Sequence, residues 1–482
     1  MTRFTRREFF EDSLFAAAGA AWVPSVSLRL DDDPGPRSPN ETIRLAVLGV
    51  RGRGRAHVGA FKKSKDSEVV AICDPDEGVT ALAKKACPKA TYYKDLRKML
   101  EDDSIDAVSV ATPNHWHSLA TIWAIEAGKH VYVEKPISHN LQEGRRVVEA
   151  ARKHGKIVQH GTQSRSTEAT SQAMEWLRAG GLGKVHVARA LCYKPRGSIG
   201  KVKGPQKTPS TLDYDLWTGP AALKPLMRKN LHYDWHWVFE TGNGDLGNQG
   251  VHQMDIARWG LGKDGFPDSV VSCGGRLGYE DDGNTPNTQI SVFHYGDQQL
   301  VFEVRGLKTS AYSPPSGKGA KIGVIFHCEE GYMVSASYGK VLAFDLDGNV
   351  VKTFSGGGDH FQNFLDAVKS GKREDLNAES IEGHLSSGLC HLGNISYQMG
   401  QAQKLAKTDT PFGNAEVANE SFRRFRDHLV DNGVKAAKAD YAMGPTLSFN
   451  PKRERFTGDH ADAANELTTR RYRAPFVVPS QI

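Results

Sequence analysis

A chain of 482 residues has room for about three domains of ordinary size, or two large ones with appendages. Its 39% hydrophobic and 24% charged composition excludes wholesale disorder, and its excess of 62 basic over 56 acidic residues is spread too evenly for a dedicated nucleic-acid binder. Six cysteines without a CxxC pair argue against a zinc ribbon, disulfide scaffold or dithiol centre, and the lack of eighteen consecutive apolar residues against an ordinary membrane span.

The first 30 residues have the layout of a twin-arginine export signal. Arg6 and Arg7 precede Phe9 and Phe10, and a ten-residue apolar stretch follows at 14–23 (LFAAAGAAWV). The expected location is therefore outside the cytoplasm, in the periplasm. Residues 31–41, rich in Pro and Asp, read as a linker.

From 42 to 163 the pattern predicts an N-terminal Rossmann dinucleotide-binding domain. Apolar runs at 43–48, 68–73, 106–111, 130–133 and 156–160 are expected strands. They alternate with helical segments at 55–63, 76–86, 93–101, 114–127 and 140–153, which means a parallel sheet. The first strand runs into Gly49, Gly52 and Gly54, a turn whose N–H groups and following helix can hold a pyrophosphate. The spacing is GxxGxG, with Arg51 where the usual fingerprint has its middle glycine. Asp74 ends the second strand twenty residues past Gly54, placed to accept from ribose hydroxyls, which favours NAD. Arg51, Arg53 and Arg55 leave NADP open through a 2′-phosphate. Ligands of such sheets lie beyond the carboxyl ends of the strands, so Thr112, Pro113, Asn114, His117, Glu134 and Lys135 should converge there. Asn114 is also a natural helix cap. Pro136 keeps Lys135 extended, and a lysine beside a cationic nicotinamide would have a lowered pKa.

The segments ATPNHWH, VYVEKP and HGTQSR resemble the glucose–fructose oxidoreductase / inositol dehydrogenase (Gfo/Idh/MocA) family, in its exported subgroup. The resemblance implies that Lys135 lies by the nicotinamide and the substrate hydroxyl, and that Glu134 meets the nicotinamide-side ribose. It also implies that Thr112, Pro113 and Asn114 line the cofactor, and that Gln163 touches nicotinamide or substrate. Arg165 of the same segment is assigned to the substrate.

Residues 164–440 are expected to form an α+β domain. A helix at 167–179, a strand at 184–193, a Gly/Lys/Pro-rich loop at 197–210 and strands at 269–276, 288–295, 299–305, 321–327 and 341–345 predict an open, mainly antiparallel sheet. One face should carry helices and the other face a substrate or a partner subunit. The resemblance implies a homo-oligomer, dimer or tetramer, paired through that sheet. Helices at 359–369 and 380–402 should pack back on the first domain, 422–441 reads as a last helix, and 441–482 as a C-terminal arm over a neighbour or the surface. The segment 234–255 (DWHWVFETGNGDLGNQGVHQMD) resembles the family's glycine turn and DxGxH element. That gives His252 the acid/base role and Asp255 the outer acid, but Asn248 stands where the family's aspartate sits. Four residues apart, Asn248 and His252 would share a helical face, and an asparagine orients without adding charge. Trp217 and His236, with Tyr233, Trp235 and Trp237, suit a sugar ring, and equally suit a core. His115-x-His117 and His232-x-x-x-His236 have metal-like spacing, but no metal is expected because hydride chemistry needs none.

Together these features predict a nicotinamide-dependent oxidoreductase that transfers hydride between NAD(P) and a hydroxyl of a sugar, sugar acid or polyol. Two rivals remain. One is an NAD-dependent glycoside hydrolase using transient oxidation and elimination without net redox change. The other is a sugar-binding relative that has lost turnover.

Overall fold

Apolar runs too short for helices pair into two sheets, and the amphipathic segments between them become the covering layers. The computed structural model describes residues 42–314 and 317–482; the expected signal and linker lie outside the described residues. The first sheet is β1 (Ile43–Leu48), β2 (Ser67–Cys73), β3 (Thr91–Tyr93), β4 (Ala107–Val110), β5 (His130–Val133) and β6 (Val158–His160), all parallel in the order β3-β2-β1-β4-β5-β6. The order reverses between β1 and β4, which opens a crevice at their carboxyl ends. Helices cover both faces, so β4 is buried throughout and β1 nearly so. Strand β3 was not expected: a half-exposed TYY at the sheet edge carries almost no apolar signal. The helix after it starts only at Leu96, where Asp95 caps it.

The second sheet has twelve strands: β7 (Val185–Cys192), β8 (Ser269–Gly275), β9 (Thr288–Tyr295), β10 (Gln298–Arg305), β11 (Ile322–Cys328), β12 (Gly331–Ser337), β13 (Lys340–Asp345), β14 (Val350–Ser355), β15 (Gln401–Lys404), β16 (Asp440–Met443), β17 (Leu447–Asn450) and β18 (Arg455–Thr457). Its path is β14-β13-β12-β11-β7-β10-β9-β8-β16-β15, with β17 and β18 attached at β8. Only β7 and β10 pair parallel; every other pair is antiparallel. The expected helix at 422–441 is instead a helix over Glu416–Asp431 followed by β16, because Gly433 takes φ 83° and ends it.

Alternation along the strands divides the sheet's two faces. Leu300, Phe302 and Val304 of β10 pack under the Glu168–Arg178, Gly250–Gly260 and Ser380–Gln398 helices. Val271, Ile290, Val292 and Val301 meet Phe422, Phe425 and Leu429 of the Glu416–Asp431 helix on the opposite face. On that same face Ile325, Tyr332, Val334 and Phe344 are covered by Tyr312 and Ala320 of the loop after β10. The face expected to meet a partner subunit is thus covered by the chain itself.

The C-terminal segment, expected as an arm over a neighbour or the surface, adds β17 to β8 of the second domain and then crosses the chain's own surface to the first. There Phe476 packs against both Trp116 and Trp123, with ring centroids at 5.5 and 6.3 Å, and Val478 is buried beside it. Burial of one such phenylalanine contributes about 1.5–3 kcal/mol. Among the described residues no helix is long and apolar enough to cross a membrane.

Candidate active site

The glycine turn after β1 is shaped by backbone contacts that no side chain would allow. A Cβ on Gly54 would sit 1.8 Å from the Gly49 carbonyl oxygen, and one on Gly49 would sit 2.8 Å from the Ala111 carbonyl at the end of β4. Gly52, at φ 55°, precedes the Arg53–Lys63 helix and has open space where a side chain would be. A helix N-terminus beside a bare, open turn fits a pyrophosphate. The Thr112 hydroxyl, next to this turn, is buried with no hydrogen-bond partner among the described residues. Asp74 fits the neighbouring ribose. One of its oxygens accepts from the Val50 N–H and the other from the Asp76 N–H, each at 3.0 Å. Burial, opposed by those N–H groups, pushes the Asp74 carboxyl up to about 6.

Arg51 takes the middle-glycine position without blocking the turn. It is exposed, and its Nη1 donates to the His232 carbonyl at 3.1 Å. Arg53 points to the other end of the crevice and donates to Glu134 Oε1 at 2.7 Å.

At that end stand Glu134, Lys135 and Asn248. Glu134 Oε1 accepts from Arg53, from His57 Nε2 at 3.0 Å and from Gln163 Nε2 at 3.3 Å; its Oε2 accepts from the Lys135 N–H at 3.1 Å. Burial disfavours the carboxylate, yet Arg53 and His57 hold its pKa well below the usual range. Lys135 is half-buried, precedes a cis bond to Pro136, and donates through Nζ to the Asn248 carbonyl at 2.6 Å and to Asn248 Oδ1 at 3.3 Å. Burial lowers its pKa to about 8, and the charges of Arg53, Lys194 and Arg196 outlast the opposing pull of Glu134. Asn248 therefore holds the lysine by two oxygens. It ends the short Gly244–Asn248 helix, and His252 lies beyond a break at Gln249 on the next helix, Gly250–Gly260.

His252 is buried, its Nδ1 without a hydrogen-bond partner among the described residues, and Tyr338 of the β12–β13 turn stands at right angles to it at 6.4 Å. Burial and the Lys135 charge hold its pKa well below the ordinary value, so it is neutral. His236 is half-buried and stacked on Trp235 at 3.6 Å. Burial, with Lys135 and Arg196 nearby, lowers its pKa to about 3. Arg196, which no motif marked, grips Asp245 with two bonds of 2.7 and 2.9 Å and reaches Tyr233 at 3.2 Å.

Other expected residues do different work. Asn114 does not cap its helix; it is the first helical residue, and its amide crosses to Asn243 Oδ1 at 3.0 Å. Pro113 takes the cap position. His117 sits between the Pro136 carbonyl at 2.6 Å and the Thr112 carbonyl at 2.8 Å, bracing two strand ends. Arg165 and Asp255, expected at the substrate, are largely buried and paired with each other. Asp255 is fully buried; both of its oxygens accept from Arg165 Nε at 2.9 Å, and Oδ1 also accepts from Ser386 Oγ at 2.7 Å. Arg165 and Arg258 also meet Glu382, so the four charges neutralise one another inside the protein. Trp217 is core: it packs with Leu212, Leu226, Leu231 and Trp235, parallel to Tyr214 at 5.9 Å. The His115 and His232 rings face a backbone carbonyl and the Asp76 carboxylate.

Sequence reasoning missed His57, Ser109, Asp76, Asn243, Arg196, Asp245 and Tyr338. Only His57, three residues past Gly54 on a helix facing the sheet, carried a local signal.

Residues 43–162 match the model of an oxidoreductase family, NAD-binding Rossmann fold, and residues 184–301 match that family's C-terminal alpha/beta domain. The chain is 35% identical over 222 residues to D-glucoside 3-dehydrogenase of Escherichia coli K12, covering 46% of this chain and 54% of that protein. It is 30% identical over 163 residues to glycosyl hydrolase family 109 protein 2 of Shewanella sp. ANA-3, covering 30% of this chain and 36% of that one. It thus spans about half or less of these relatives. A solved WlbA dehydrogenase from Bordetella pertussis, in complex with NADH and UDP-GlcNAcA, shares the fold at TM-score 0.54 and 18% identity, over 73% of this chain and 95% of that one.

Proposed function

Because this chain belongs to the Gfo/Idh/MocA oxidoreductase family, we propose that it is an NAD-dependent oxidoreductase acting on a hydroxyl of a sugar, sugar acid or polyol. The observation that carries this reading is the placement of Lys135, an ammonium group with a pKa near 8 held by Asn248 at the end of a crevice that begins with a bare glycine turn. Gly49, Gly52, Gly54, Asp74, Thr112 and Glu134 would hold the nucleotide, which when bound supplies a two-electron acceptor. Asp74 and the engagement of Arg51 and Arg53 elsewhere favour NAD over NADP.

The protein's own part is proton handling and orientation. Neutral Lys135 accepts the hydroxyl proton at Nζ, with the amine aimed by the Asn248 carbonyl and Oδ1. His252, neutral and with Nδ1 lacking a partner among the described residues, offers a hydrogen bond to the same substrate oxygen rather than a proton from an imidazolium. His236 and Tyr338 narrow the cleft around them.

A spectrum of the isolated protein, before and after a panel of carbohydrates, tests the reading. Reduced-nicotinamide absorbance should appear with one class, and Lys135→Ala should keep the nucleotide yet lose that change. A protein that binds neither NAD nor NADP overturns the reading.

A second reading, glycoside cleavage with the nucleotide recycled in place, is supported by how the crevice is roofed. Thr211 Oγ1 donates to Asp76 Oδ1 at 2.5 Å, His232 Nε2 to Asp76 Oδ2 at 2.7 Å, and the backbones of 75–77 and 211–213 bond to each other. This clasp from the second domain closes over the Asp74 end, where it would slow exchange of the nucleotide. The family 109 relative agrees with it. Glycoside cleavage without net reduced nucleotide would select this reading.

We also propose export through the twin-arginine route, on the strength of Arg6 and Arg7 before the apolar stretch at 14–23; six buried free thiols are compatible with folding before transport.

A further inference from the structure

We infer that Ser109 and His57 form a buried relay that orients the Glu134 carboxylate toward the nicotinamide-side ribose, with His57 as a positioning residue for cofactor binding. This rests on the reading that a dinucleotide fills the crevice.

The geometry leaves one hydrogen-bond assignment. His57 Nε2 lies 3.0 Å from Glu134 Oε1, and His57 Nδ1 lies 2.7 Å from Ser109 Oγ. An ionised carboxylate only accepts, so Nε2 carries the proton. Burial lowers the pKa of His57, so its ring is neutral and Nδ1 must accept, which makes the Ser109 hydroxyl the donor. The chain of donation runs Ser109 to His57 to Glu134 with no choice at any link. The ring cannot turn away. It is fully buried, with Tyr132, Phe361 and Phe61 rings at 5.2, 5.1 and 6.4 Å, all standing steeply against it.

The two carboxylate oxygens are unequal. Among the described residues Oε1 receives three donors, from Arg53, His57 and Gln163, whereas Oε2 receives only the Lys135 N–H. Oε2 also lies against Gly161, where a Cβ would approach it to 2.9 Å. The spare acceptor capacity is therefore on Oε2, and the relay keeps the carboxylate turned that way. Arg53 cannot do this alone: its side chain is 38% exposed, while His57 is sealed.

The test is titration calorimetry of NAD and NADP against purified protein, with melting curves alongside. His57→Phe keeps the ring packing and removes both nitrogens; His57→Gln keeps a donor near the Nε2 position; Ser109→Ala removes the first link. Expected are a roughly tenfold weaker Kd for His57→Phe, the size of one hydrogen bond to a charged group, and near wild-type affinity for His57→Gln. Ser109→Ala should fall between. In a Glu134→Gln background, His57→Phe should add nothing further, because it acts through that carboxylate. If His57→Phe does not fold, His57→Gln against Ser109→Ala gives the same ordering. Equal affinity in wild type and His57→Phe, additive losses with Glu134→Gln, or no rescue by His57→Gln overturns the relay alone. A wild-type protein that binds neither nucleotide overturns the cofactor reading itself.

Discussion

Replacing Asn248 by aspartate would put a carboxylate where Lys135 Nζ now meets an amide oxygen at 3.3 Å. At an effective dielectric of about 20, two unit charges at that separation attract by about 5 kcal/mol, equivalent to roughly 3.5 pKa units. Desolvating the new carboxylate takes back part of this, so a rise of about 1–3 units from the present value near 8 is expected. For a two-unit rise, the neutral fraction of Lys135 at pH 7 falls from about a tenth to about a thousandth. Since the neutral amine is the proposed proton acceptor, carbohydrate oxidation at neutral pH should fall with it. The assay is kcat/KM against pH for the substrate found by the spectral screen. The acidic limb should sit near 8 in the wild type and move alkaline by about 1–3 units in Asn248→Asp. A variant that binds nucleotide normally and keeps its limb near 8 would show that Lys135 is not the group being titrated.

Two further outcomes follow from burial. Gly54→Ala should lose nucleotide binding and at least about 1–3 kcal/mol of stability, because its Cβ would meet the Gly49 carbonyl at 1.8 Å; Gly59→Ala, with open space on the same helix, should be neutral or slightly stabilising. Equal urea midpoints for the two would contradict this. Stability should also fall as pH drops from about 6.5 toward 4. Burial holds His115, His160 and His391 at about 3 and His360 at about 4, so the unfolded chain takes up protons in that window while the native state does not. Each contributes at most about 2 kcal/mol between pH 7 and 5. Asp74 works the other way, since its raised pKa lets the native state bind a proton below about 6. A urea midpoint unchanged from pH 7 to 5 would refute the balance.

Much of the first domain was readable because strands buried on both faces are continuous apolar runs and the glycine turn is local. Seven strands escaped, none with such a run: β3 is three half-exposed residues, β14 is an exposed edge, β12 is four small residues in seven, and β15 to β18 are three or four residues each with exposed positions. In the site, Lys135, Glu134 and Asn248 were legible from short motifs. Asn114–Asn243 and Arg196–Asp245 were not, because the partners are 129 and 49 residues apart and no spacing links them. Arg165 and Asp255 stand beside the right motifs yet point into an internal ion network, and motif position says nothing about burial.

The last forty residues bear on motion. They pair β17 with β8 in one domain and pack Phe476 against two tryptophans of the other, while Arg473 donates to Asp215 and to the Gly219 carbonyl on the way. A belt anchored at both ends opposes hinge opening of the two halves, so the gape of the cleft is set at folding rather than at encounter. Ligand uptake should then proceed as a single kinetic phase, limited by passage through a rigid mouth and not by closure of the halves around the guest.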